Sequence, residues 1–147
     1  MAQRPGELEK IVAMEKYESK QVQINKPASR IYPVLSDFSN FTPILQDKVE
    51  DWEATSDTCS FTVKGFKVGL RIVEREQDSF VKIEGEDGSP FAFTFWVQLK
   101  EVAADDTRLR LVLHVNLNMM MKMMIGGKIS SALDQVADQI AQSFNAA

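Results

Sequence analysis

Residues 119–144 read MMMKMMIGGKISSALDQVADQIAQSF. From Ile129 onward, the apolar residues Ile129, Leu133, Val136, Ile140 and Phe144 return at the spacing of one helix face, and Ala132 and Ala137 widen the stripe. Asp134, Gln135, Asp138, Gln139 and Gln142 fall largely on the other side. A helix over the whole stretch, rising about 1.5 Å per residue, would be roughly 39 Å long. A one-sided helix of that length needs a broad apolar surface to lie on.

The residues upstream supply one. Cys59, Phe61 and Val63 alternate with Ser60, Thr62 and Lys64, and Phe66, Val68, Leu70 and Ile72 alternate with Lys67, Gly69 and Arg71. Val81 and Ile83 follow in the same manner, then Phe91, Phe93, Phe95, Val97 and Leu99. Last come Leu109, Leu111, Leu113, Val115 and Leu117, opposite in phase to Arg108, Arg110, His114 and Asn116. Strict alternation broken by short turns (Ser56–Asp57, Gly65, Asp87–Pro90, Ala104–Thr107) predicts antiparallel neighbours with one buried and one wet face.

Further upstream, Val22 and Ile24 predict a first strand within Tyr17–Asn25. Asn25 as a cap, with Pro27 in the first turn, predicts a helix carrying Ile31, Val34, Leu35 and Phe38 inward, kept short by Pro33. Asp37–Lys48 reads as a second short helix. Residues 1–14 read as a flexible leader or an extension ahead of Met14, and 15–147 as a single domain. The expected fold class is α+β: a strand, two short helices, about six more antiparallel strands and a closing helix. The resulting sheet, of about seven strands, is strongly curved and wraps that helix.

Composition narrows the function. At 147 residues, 44% hydrophobic and 26% charged, the chain can build a full core without disulfides. Seventeen Lys and Arg against 21 Asp and Glu give −4, which argues against nucleic acid as a partner. No apolar run reaches membrane-spanning length, and Cys59 is the single cysteine, so a reducing, cytoplasmic setting is expected.

The order of elements, the Ile24–Ala28 entry (INKPA) and the Asp37–Pro43 segment (DFSNFTP) resemble the helix-grip superfamily, also called START-like or SRPBCC, the fold of the birch-pollen allergen group. The resemblance covers nearly all of Tyr17–Phe144. It implies a cavity between sheet and closing helix for lipids, sterols, quinones or polyketides. In some branches it implies cyclase or dehydratase chemistry, and in others a protein partner such as a chaperone.

The candidate chemistry is sparse. Five of the seven methionines are Met119, Met120, Met121, Met123 and Met124, and five within six residues cannot all face one core. Gly126 and Gly127 follow; Lys128 does not complete a phosphate loop, because Ile129 stands where Ser or Thr is required. His114, the only histidine, falls in the solvent phase, and Cys59 falls in the buried phase with no base beside it. No carboxylate pair shares the buried phase, so no catalytic residue, metal ligand or cofactor is expected.

The first expectation is therefore a non-enzymatic carrier or sensor of a small apolar ligand. Its walls would be Phe61, Val68, Leu70, Phe93, Phe95, Leu111 and Leu113; its lid would be Met120, Met121, Met124 and Ile125, with Gly126 and Gly127 as hinge. A cyclase or dehydratase in the same cavity is the second. The third is a protein-interaction module with a filled interior, meeting a partner or a second copy through Met119–Met124.

Overall fold

The computed structural model describes residues 15–63, 65–86, 92–117 and 119–146. The leader over 1–14, the turn over 87–90 and Phe91 lie outside them. Eight strand segments form one sheet: β1 (Glu15–Glu18), β2 (Val22–Ile24), β3 (Glu50–Ala54), β4 (Thr58–Val63), β5 (Phe66–Glu76), β6 (Phe80–Gly85), β7 (Phe93–Ala103) and β8 (Asp106–Val115). Their order is β1-β8-β7-β6-β5-β4-β3, with β2 also on β8 and every pair antiparallel.

The expected first strand is broken in two. Tyr17 stands opposite Leu113 and Val22 opposite Leu109, so both pieces share β8 as neighbour. Buried Ser19 makes the step between them. Its N–H donates to the Leu111 carbonyl at 2.8 Å, and its hydroxyl accepts the Leu111 N–H at 2.9 Å. A side chain thus stands in for one rung of the ladder, which keeps the buried backbone paired. Register shifts in β3, between Ile72 and Glu74, and between Glu101 and Ala103 bend the sheet around its contents.

The helices also depart from expectation in detail. Asn25 does not cap α1 (Ala28–Leu35); Pro27 occupies the cap position without a side-chain bond. The Ala28 N–H instead donates to Glu101 Oε1 at 2.8 Å, a carboxylate delivered by β7 to the positive end of the helix. Ile31 and Leu35 are buried, but Val34 is exposed. Asp37–Lys48 is a 3₁₀ turn (Phe38–Phe41), capped by Asp37 through the Ser39 N–H at 2.9 Å, followed by the short α2 (Thr42–Leu45).

The closing helix α3 (Met119–Asn145) runs unbroken through both glycines. Polar contacts fasten it to the β1–β2 edge along its length. Lys122 pairs with Glu15 at 2.9 Å and Lys20 with Asp138 at 2.9 Å. The Lys20 N–H donates to Asp134 at 2.7 Å, and Asn145 accepts the Asn25 N–H at 2.7 Å while donating to the Gln23 carbonyl at 3.1 Å.

The interior is divided. One cluster joins α1 and α3 to β2, β7 and β8 through Ile24, Ile31, Leu35, Val97, Leu109, Leu111, Leu133, Ala137 and their neighbours. The other, Phe38, Cys59, Ile72, Val81 and Ile83, lies over β4–β6. Tyr32, Phe41 and Phe95 pack against both.

Candidate functional site

The seam between the two clusters opens into a cavity of about 590 Å³. Its floor is the inward row of the sheet: Leu111 on β8, Phe95 and Val97 on β7, Ile83 on β6, Leu70 on β5, and Cys59 and Phe61 on β4. Strand alternation puts these residues on one face. Leu35, Phe38, Phe41 and Leu45 overhang it from one side, Val136 and Ile140 of α3 from the other, and Trp52 of β3 closes an end. The polar side chains Lys48, Gln139, Gln142 and Ser143 also border the space.

The overhang is anchored. The Trp52 indole N–H donates to the Thr42 hydroxyl at 2.8 Å, and its ring stacks on Phe61 with centroids 6.0 Å apart. Arg75 donates to the Ser36 carbonyl at 2.9 Å and the Ser56 carbonyl at 3.3 Å, and pairs with Asp57 at 2.6 Å. One guanidinium therefore holds the end of α1 to the β3–β4 turn.

The cavity's chemistry is quiet. Burial first, and then the nearby Glu86 carboxylate, push the Cys59 thiol up to about 12, so it stays protonated at neutral pH and is no nucleophile there. His114 lies on the other face of the sheet, its ring edge-on to Trp96 at 4.6 Å. Burial and then Lys16 lower its pKa, with Glu18 opposing, so it is neutral at pH 7. Among the described residues no group of three His, Cys, Asp or Glu could hold a metal ion.

Of the walls expected from sequence, Phe61, Leu70, Phe95 and Leu111 border the cavity; Val68, Phe93 and Leu113 do not. Leu113 packs instead with Tyr17 against the first cluster. The expected lid is displaced. Met120 and Met124 are 71% and 66% exposed, Ile125 is at the margin of exposure and Met121 is half-buried; none borders the space. From Met120 to Val136 the helix rises about 24 Å, so the methionines stand at its far end, over β1. Gly126 serves close approach, since a Cβ there would come within 3.2 Å of the Tyr17 hydroxyl, and Gly127 has no neighbour within 4 Å. The helical side of the cavity comes from the last turns of α3. Its signal in the sequence was Val136 and Ile140 beside the Phe38–Leu45 segment, two aromatic-rich and apolar stretches that both need a surface.

No protein-family model and no curated protein matches the sequence. Solved structures do match in shape. Norcoclaurine synthase from Thalictrum flavum, a point mutant in complex with a transition-state analogue, has a TM-score of 0.71 at 13% identity, covering 89% of this chain and 94% of that one. The Aha1 dimer from Colwellia psychrerythraea has a TM-score of 0.65 at 14% identity, covering 90% and 97%. A START superfamily protein from Mycobacterium smegmatis has a TM-score of 0.59 at 15% identity, covering 85% and 98%. At such identities the likeness speaks for the fold alone. The curved antiparallel sheet and the long C-terminal helix are those of the START-like, or SRPBCC, helix-grip fold, and that is the fold of this chain.

Proposed function

We propose that the chain binds a small hydrophobic ligand in the cavity between the sheet and the last turns of α3. The observation that carries this reading is a space of about 590 Å³ with an aromatic and aliphatic lining. That volume lies in the range of small-molecule sites, and an apolar wall rewards the burial of an apolar body. Lys48, Gln139, Gln142 and Ser143 offer a polar or anionic end of the ligand its partners. A lipid-, quinone-, sterol- or polyketide-like molecule has this form. A cyclase or dehydratase using the same cavity is the alternative reading. The lone, buried Cys59 accords with a cytoplasmic setting.

The test is titration with an environment-sensitive apolar fluorophore, displaced by candidate lipids and quinones. Saturable one-to-one binding, weakened when Val136→Phe narrows the space, supports the reading; an unchanged affinity in that variant contradicts it.

A second reading concerns Met119, Met120, Met123 and Met124, exposed by 80%, 71%, 81% and 66%. We propose that they meet an apolar surface of a protein partner, a second copy being the simplest one. Four flexible thioethers on one helix end suit an adaptable contact, and the similar Colwellia structure is of a dimer. Sedimentation across a concentration series tests it: a mass that rises toward twice the monomer supports self-association, and a constant monomer mass opposes it.

A further inference from the structure

The face of β7 and β8 turned away from the cavity carries a second, polar pocket of about 480 Å³. Lys100 and Arg108 are direct cross-strand neighbours there, and Arg110 stands opposite Gln98. Like charges placed opposite one another on a sheet destabilise it. Asp106 relieves one of the three cations, gripping Arg108 at 3.0 and 3.2 Å. Lys100 and Arg110 have no such relief: neither has an ion-pair partner among the described residues. The Arg110 Nε is moreover buried without any hydrogen-bond partner, the one side-chain atom in that position among the described residues. A buried donor on a charged group is costly to leave unpaired, which marks Arg110 as the least satisfied of the three cations.

We propose that this pocket binds a phosphate group, free or carried on a small organic molecule. Two uncompensated cations match the nearly double negative charge of a phosphate monoester at neutral pH, and Lys100 and Arg110 both line the pocket. Phe80, which pairs with Gln98 on the same face, gives an organic substituent an apolar wall. The chain's overall charge of −4 does not oppose this, because the pocket's field is set by the cations that line it.

Calorimetric titration at low salt with inorganic phosphate and with phenyl phosphate tests the assignment. One saturable site is expected for the wild-type protein, weakened by about tenfold or more in Lys100→Gln and in Arg110→Gln. Tighter binding of phenyl phosphate identifies a phosphorylated organic molecule as the source, and equal binding identifies free phosphate. Lys100 is exposed, so its variant keeps the fold, and unchanged binding of the apolar fluorophore confirms that. Absence of saturable binding at millimolar concentration, or affinity unaltered in Lys100→Gln, overturns the proposal.

Discussion

The indole N–H of Trp52 donates to the Thr42 hydroxyl at 2.8 Å, joining β3 to α2 at one end of the cavity. Trp52→Phe keeps an aromatic ring against Phe61 but deletes the donor. The expected loss is about 1 kcal/mol of stability in urea unfolding, the usual worth of a neutral hydrogen bond. The same variant should abolish any ligand-induced change in tryptophan emission, because the remaining Trp96 lies on the opposite face beside His114.

Leu111 and Val136 border the same cavity but bear on different properties. Leu111 is fully buried in the sheet, so Leu111→Ala should cost about 2–5 kcal/mol. Val136 is 45% exposed beside an open space, so Val136→Phe should change stability by only about 0.5 kcal/mol. Its effect should fall on binding of the apolar fluorophore, weakened by about tenfold or more. Paired denaturation and titration curves separate the two.

The fold holds Cys59 protonated to a higher pH than the unfolded chain does. Below its ordinary value of 9.0 both states carry the proton; between there and about 12 the unfolded chain loses it first. Stability should therefore fall as pH rises through that window, and Cys59→Ala should flatten the fall. In native protein at pH 8 the thiol should react with a disulfide reagent far more slowly than after denaturation.

Gly127 has no neighbour within 4 Å of where a Cβ would stand, in the middle of a continuous helix. Gly127→Ala should raise stability by about 0.5–1 kcal/mol through helix propensity and leave ligand binding unchanged. A loss of binding in this variant would restore the hinge role expected from the glycine pair.

Replacing Met119, Met120, Met123 and Met124 together by Gln should leave the melting temperature nearly unchanged, since all four are exposed. If the patch is an interface, the variant should sediment as a monomer at concentrations where the parent associates.

The fold was legible because burial imposes periods that the residues display. Phe95, Val97, Leu109 and Leu111 alternate as a half-buried strand must, and Leu133 and Phe144 recur as a packed helix face must. The cavity was legible only on its sheet side, through Phe61, Leu70, Phe95 and Leu111. Periodicity tells which face is inward, but not where two inward faces fail to meet. Val136 illustrates this: it belongs to the apolar stripe, yet it borders a space rather than a packed core. The methionines misled for a related reason. Their clustering signals an unusual surface without saying which end of α3 faces the sheet's hollow. Two local substitutions were hidden as well, the Ser19 hydroxyl in place of a ladder rung and the Glu101 carboxylate in place of a helix cap, because both depend on residues distant in sequence.

What remains to be seen in the protein itself is an apolar molecule in the cavity. Native mass spectrometry of the protein purified from its own host, followed by organic extraction, looks for it. One bound apolar molecule per chain is expected, with lower occupancy in Val136→Phe prepared in the same way. A clean unliganded mass, together with no thermal shift across lipids, quinones and sterols, would contradict that expectation.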